Sequence, residues 1–265
     1  MKLKTVPNPL QKYRSACCLV MAFLLTGCAA APHADVDVQK LARIKTVAVS
    51  APHKTVYSVG TSSGPLIIPG GGILAAAIGG AVSGSINAST NKHAATFNDL
   101  VTAKVGDTHL YRRFVDGIEA ELRNQGYVVS EVDLSQDGMP KVVMKGATAE
   151  LVGPKYEGAD AILIMNVGVA YYAPGPMNVF SRQVVGEISM FETSDYTKTF
   201  RQPVRLSRFD DPYSYGTYSS LVDDLPHAIQ GLDESMMSLV PQFGALLKSA
   251  RQTVQVSGQA DVKVQ

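Results

Sequence analysis

Apolar and polar positions along the chain follow two periods, and each marks its elements. Lys45 to Ser50 (KTVAVS) alternates and carries β-branched residues, which predicts a strand. From Tyr111 to Gln125 the apolar side chains Tyr111, Phe114, Val115, Ile118 and Leu122 return every three or four positions, while Arg112, Asp116, Glu119 and Arg123 fall off that stripe. That is a helix with one buried face, and Gly126 is placed to cap it. Tyr127 to Val132 reads as a second strand, Leu134 to Pro140 as a turn and Val142 to Leu151 as a modest helix. Ala161 to Tyr172 (AILIMNVGVAYY) is an almost unbroken apolar run, the pattern of a central strand buried on both faces. After Pro174, Gly175 and Pro176, Val179 to Glu192 and Lys198 to Leu206 read as a hairpin around a turn at Thr193 to Tyr196. Phe209 to Tyr218 is a loop dense in Asp, Pro, Gly and Tyr. In the last long segment, Ser219 to Lys248, the residues Leu225, Ile229, Leu232, Met236, Leu239, Phe243 and Leu247 form one helical stripe. Pro226 suits its start, and Pro241 should kink or break it. Helices alternating with strands predict an α/β fold, a mixed-sheet α/β sandwich.

Two stretches break this rhythm. Thr55 to Asn91 holds no Asp, Glu, Lys or Arg. Its first part, Tyr57 to Pro69, is rich in Gly, Ser and Pro and reads as a loop. In its second part Gly72, Ala76, Gly80, Gly84 and Ala88 recur every four residues. On a helix they make a flat small-residue face that admits a close neighbour, which resembles a glycine zipper. Such a helix could pack on its own domain or a second copy, insert in lipid, or remain a mobile insertion. Self-association or membrane contact is its expected role.

The other stretch is the N-terminus. Lys2, Lys4, Lys12 and Arg14 precede an apolar run of ten, Ala16 to Leu25, with small residues at its end. This is the layout of an export signal, and ten residues are too few for the ~20 of a membrane-spanning helix. The tetrad Leu25-Thr26-Gly27-Cys28 resembles the lipobox of bacterial lipoproteins. The resemblance implies cleavage before Cys28, acylation of that residue, and a mature chain held to a membrane by its lipid. Ala29, where an inner-membrane retention signal would place Asp, points to the outer membrane with the domain facing the periplasm. Residues 1–27 are then the signal peptide, 28–42 the lipidated cysteine and its tether, 43–250 the periplasmic domain with its insertion at 55–91, and 251–265 a polar, disordered tail.

Charge and cysteine use narrow the function. Residues 1–27 hold four of the 24 basic residues and none of the 23 acidic ones, which leaves 20 against 23, a net charge of −3. Such a balance offers nucleic acid nothing to bind. Cys17 and Cys18 leave with the signal and Cys28 is acylated, so no thiol remains for a disulfide, a metal or a nucleophile. Gly60-Thr61-Ser62-Ser63-Gly64 matches G-x-S-x-G but is followed by Pro65 rather than a helix, and a flexible loop is the better reading. His33, His53, His93, His109 and His227 show no metal-ligand spacing, and Gly70-Gly71-Gly72 lacks the Lys of a phosphate loop. Asp210-Asp211 and Asp223-Asp224 read as solvated caps. No cofactor, no metal and no catalytic constellation is expected. Tyr171, Tyr172, Tyr213, Tyr215 and Tyr218 are candidate partner contacts, since tyrosine is enriched at protein interfaces.

The succession of Arg123 to Val129, Gly158 to Ile164 and the hairpin Val184 to Val204 resembles the periplasmic α/β domain of several envelope lipoproteins. Among these are the curli-secretion lipoproteins, the outer-membrane lipoprotein activators of peptidoglycan synthases and the N-terminal domain of the Tol translocation protein. The resemblance spans roughly 43–250 outside the insertion. It implies a protein that acts by binding or secretion, without catalysis, toward an envelope partner or a second copy of itself. The alternative is an oligomeric pore or secretion-channel subunit whose residues 70–88 cross the membrane.

Overall fold

A computed structural model describes residues 34–50, 54–61, 97–145, 148–175 and 178–260. The glycine-rich stretch 70–88, Cys28 and Ser62 lie outside the described residues. The elements in order are β1 (Asp35–Val36), α1 (Val38–Arg43), β2 (Thr46–Ser50), β3 (Tyr57–Thr61), α2 (97–104), α3 (Leu110–Asn124), β4 (Val128–Val132), β5 (Lys141–Lys145), β6 (Thr148–Val152), β7 (Ala161–Ala173), β8 (Ser181–Glu192), β9 (Lys198–Arg208), α4 (Tyr218–Asp223), α5 (Leu225–Met237) and α6 (Leu239–Ala260).

The expected α/β fold with a mixed sheet is present. Seven strands form one sheet in the order β1-β9-β8-β7-β2-β4, and β3 also pairs with β7. β7 is the axis, as its apolar run predicts. It runs antiparallel to β8 over twelve residue pairs, from Ala161↔Glu192 to Tyr172↔Ser181. On its other edge two short strands lie end to end, both parallel to it. β2 takes Ala161 to Leu163, and β3 takes Val169 to Ala173. Asp160, of the Gly-Ala-Asp motif, fixes where β7 starts. Its carboxylate accepts the N–H groups of Lys45 and Thr46 at 2.8 and 2.9 Å, and these bonds hold its pKa below the usual range.

One face of the sheet carries the helices. Phe114, Val115, Ile118 and Leu122 of α3 are fully buried there, with Leu225, Leu232, Phe243 and Leu247 of the C-terminal stripe. The close of α3 follows its sequence: Gly126 takes φ +86°, a conformation that favours glycine. Pro241 does not kink a continuous helix. The chain breaks at Ser238 and α6 opens at Leu239, so Pro241 sits in a first turn, where a missing N–H costs nothing.

The opposite face differs from expectation. Residues 142–151 are not a helix. β5 and β6 pair as an antiparallel hairpin from Lys141↔Val152 to Lys145↔Thr148. The β-branched pair Val142-Val143 favours strand, and Met144, Ala149 and Leu151 close over Ala48, Ile162, Ile164 and Phe191 of the large sheet. A two-strand ribbon is not stable alone, so this docking is what selects it. Three more segments depart from the sequence reading. Tyr57 to Thr61 is a strand, not loop, because β7 is long enough to pair both β2 and β3. Asp35 and Val36 already pair with Arg201 and Phe200, so the sheet takes in part of the expected tether. At the other end, helical backbone runs to Ala260, past the start of the expected tail.

Candidate functional site

The tyrosines singled out by sequence come together, but mostly inside the protein. Tyr171 of β7 is fully buried and donates its hydroxyl hydrogen to the carbonyl of Ala228 on α5 at 3.1 Å. The ring of Tyr215 meets it edge-on, with centroids 5.5 Å apart. Tyr215 donates to Asp224 and Tyr213 to Glu234, at 3.0 and 2.9 Å. Tyr218 is half-buried against Phe97 and Phe180. Burial pushes the phenols of Tyr171 and Tyr215 well above their ordinary value, so both stay neutral donors. Tyr171, Tyr213 and Tyr215 are buried against the chain's own helices, none of them more than 8% exposed. The loop 209–217 folds over the sheet edge, where Phe180 and Tyr215 exchange backbone hydrogen bonds. Of the five, Tyr172 and Tyr218 keep partial exposure. Arg182 closes this layer. It is buried, stacks 4.4 Å over the Tyr213 ring, and donates to Asp210 at 2.7 Å and to the carbonyl of Gly231 at 3.2 Å.

A second polar centre was not anticipated. Beside the docked hairpin the uncovered part of the other face forms an open cleft of about 460 Å³. Thr148, Glu150 and Leu151 of β6 make one wall and Lys198 and Arg201 of β9 the other. Phe191 is the floor, and Asp195 and Tyr196 of the β8–β9 turn close one end. Beneath the basic wall lies Glu187 of β8, only 2% exposed. It accepts Lys198 Nζ at 2.8 Å on one carboxylate oxygen and Arg201 Nε at 2.6 Å on the other, and the Ser189 hydroxyl also donates to it. Burial alone would push the Glu187 carboxyl up. The three donors outweigh it and hold the group below its ordinary value, ionised at neutral pH. Lys198 also lies 5.2 Å over the ring of Phe191. The turn is held in shape by Tyr196, whose backbone is left-handed at φ +56°. Its hydroxyl donates to the carbonyl of Pro154 and accepts the N–H of Tyr156 at 3.0 Å, tying the turn to the strand-6 exit.

A third group, Asp116, Glu119 and Glu131, has carboxylate oxygens within 4.8 Å of one another and could hold a cation by donor type. Arg112 already bridges Asp116 and Glu131 at 2.8 and 2.6 Å, and Arg123 holds Glu119 at 2.8 Å. As placed, these are ion pairs. Of the described histidines, His109 faces Asp107 and His227 faces Asp224. Gly60 and Thr61 end β3, and the rest of the G-x-S-x-G stretch lies outside the described residues. Among the described residues no helix is long and apolar enough to cross a membrane.

No protein-family model matches the chain, and neither does any curated protein. One solved structure, titled as the crystal structure of an uncharacterized protein, aligns with 75% of this chain and 91% of its own at 16% identity, with a TM-score of 0.22. A likeness of that size carries no argument.

Proposed function

We propose that the protein is a lipid-anchored, non-enzymatic binding or accessory lipoprotein of the cell envelope, tethered to the outer membrane through Cys28 with its α/β domain facing the periplasm. The observation that carries this reading is the ordered run of basic residues, ten apolar residues and Leu25-Thr26-Gly27-Cys28. Two or more acyl chains anchor firmly, since each buried methylene contributes ~0.8 kcal/mol. The start of the fold supports a close tether. β1 opens at Asp35, and the seven residues from Cys28 reach at most ~25 Å.

The position of the charge-free insertion favours partner contact over a shared membrane. Its flanks meet, since the Asn98 side chain accepts the N–H of Tyr57 at 3.1 Å and Phe97 is buried. They meet at Tyr57, which lies opposite Val169 of β7, whereas β1 joins the sheet level with Leu163 and Ile164. Five to six strand residues separate the two, about 20 Å. The alternative, a pore built from residues 70–88, needs that stretch to return to the anchoring bilayer.

The test is the Cys28→Ser chain behind a cleavable, non-lipoprotein signal, compared with wild type. Wild type should incorporate radiolabelled palmitate and fractionate with outer membrane. Cys28→Ser should lose the label and become a soluble periplasmic monomer. An unlabelled wild type would overturn the lipoprotein reading. A labelled wild type whose Cys28→Ser form stays in membranes, or forms a defined large oligomer, would replace the accessory reading with the pore.

A further inference from the structure

The basic wall of the cleft beside the hairpin carries one charge more than the carboxylate beneath it. Four charged residues line it: Glu150, Asp195, Lys198 and Arg201. Each acid has a basic neighbour outside the cleft: Glu150 pairs with Lys145 at 3.4 Å, and Asp195 shares Lys40 with Glu192, at 3.4 and 3.2 Å. Asp195 is further stabilised as an anion by hydrogen bonds from Thr197. The two bases share one carboxylate, Glu187. Two cations against one anion leave a single positive charge on the basic wall.

The geometry of that charge is specific. Glu187 takes only Nε of Arg201, and the terminal nitrogens of the guanidinium, a third exposed, make no other hydrogen bond among the described residues. A guanidinium tied at Nε by a buried carboxylate is fixed in plane and direction. Its remaining edge is a two-pronged donor that matches a planar carboxylate. Lys198 is fixed on the same anion and adds a second donor. Phe191 and Leu151, 2% and 5% exposed, are the apolar surfaces at hand. The volume falls in the range of small-molecule sites.

We propose that this cleft binds a carboxylate borne on an apolar group, such as the C-terminal end of a short peptide, with Arg201 gripping the carboxylate, Lys198 assisting and Phe191 and Leu151 packing the apolar part. The inference deepens the binding role proposed above, and it names the ligand's chemistry. Glu187 is a positioning residue here, since it acts only through the two bases. The fork itself suits carboxylate and phosphate alike, and the single excess charge of the wall favours the monoanion.

The full-length protein in detergent is titrated calorimetrically with N-acetyl-alanyl-leucine, its C-terminal amide, sodium acetate and inorganic phosphate. The free acid should bind at least tenfold tighter than the amide and than acetate, and phosphate should not displace it. Arg201→Gln should weaken the acid at least tenfold and leave the amide unchanged, and Lys198→Met should weaken it less. Arg205→Gln removes an equal charge from an exposed position of the same strand, outside the lining, and should change nothing. An unchanged melting transition for Arg201→Gln separates lost binding from lost fold. Equal binding of acid and amide, or binding of neither at millimolar concentration, overturns the proposal. Acetate binding as well as the peptide removes the apolar half of it, phosphate competition reassigns the site to free oxyanions, and an Arg205→Gln loss equal to that of Arg201→Gln reduces it to bulk electrostatics. Palmitate labelling of Cys28 is untouched by any of these outcomes, so the site can fail while the lipoprotein reading stands.

Discussion

The two faces of the central sheet are closed by different physics. On the helical face, α3, α5 and α6 bring a continuous apolar layer, within which the buried Tyr171 hydroxyl donates to the carbonyl of Ala228. On the other face the β5–β6 hairpin covers a small apolar cluster around Ile162, Ile164 and Phe191, and then the filling turns ionic at Glu187. Apolar burial favours folding by roughly 25 cal/mol per Å². A buried ion pair often gains no more from Coulomb attraction than it loses in desolvation. The helical face therefore supplies most of the stability. The hairpin face holds charges in fixed positions, an arrangement more useful to a ligand than to the fold.

The largest expected effect comes from deleting the helical layer's aromatic contact. Phe243 of α6 is fully buried, its ring edge-on to Phe200 at 5.5 Å. Phe243→Ala should cost ~3–5 kcal/mol, read from urea unfolding. Leu151→Ala on the hairpin, in the smaller cluster and 5% exposed, should cost ~2–3 kcal/mol. Equal losses would mean the hairpin side is as deeply integrated as the helical side, and the contrast would fall.

A smaller effect follows from the carboxylates, one on each face, which shift in opposite directions. Glu187 lies below its ordinary value of 4.5. A group depressed in the folded state stabilises above its unfolded pKa, and that contribution fades as pH falls through the folded value. Asp233 of α5 lies above its ordinary 3.8, because its burial outweighs the Arg113 guanidinium and the Tyr57 hydroxyl that donate to it. Its ionisation therefore opposes folding, and acidification through its folded pKa relieves that cost. Glu187→Gln should destabilise by ~1–3 kcal/mol at pH 7, since Lys198 and Arg201 lose their shared partner, and should flatten the acid limb below about pH 4.5. Asp233→Asn should steepen that limb. Replacing the whole trio, as Glu187→Leu with Lys198→Met and Arg201→Met, should come out near neutral. A loss as large as that of the single variant would show the ion pairs to be net stabilising and would erase the distinction between the faces.

The same contrast explains what could be read from the chain. The helical face was legible because period alone encodes it. Phe114, Ile118 and Leu122, then Leu225, Leu232, Phe243 and Leu247, are buried where their spacing places them. β7 was legible because burial on both faces leaves an unbroken apolar run. The hairpin was not, since ten residues with four or five apolar positions fit either period, and the sheet's open face decided between them. The cleft was missed for a related reason. Glu187 is one of three charged residues in β8, and its meaning depends on the register that sets it beside Lys198 and Arg201. The hairpin read from the sequence held all three residues. Counting back from the turn at Thr193 to Tyr196 would have set the buried acid near the two bases. The tyrosines show the opposite case, with Tyr172 and Tyr218 still partly exposed. Composition marked them, but only the fold of loop 209–217 turns Tyr213 and Tyr215 inward.

The smallest effect probes how far the helical face extends. α6 continues past residue 250, where the sequence loses its apolar stripe. Arg251 ties its start down: it lies 4.8 Å over the ring of Tyr127 and donates to the carbonyl of Gln125, just beyond the end of α3. A guanidinium over an aromatic ring contributes ~0.5–1 kcal/mol at a partly exposed site. Arg251→Ala should lower stability by about that much in urea, and Arg251→Lys should not restore it, because an ammonium neither stacks flat nor spans ring and carbonyl together. Ending the chain after Ala250 should cost no more than Arg251→Ala if this contact is all that the stretch contributes. A clearly larger loss from the truncation would place further packing beyond Arg251, and the apolar layer would then reach farther than its sequence stripe.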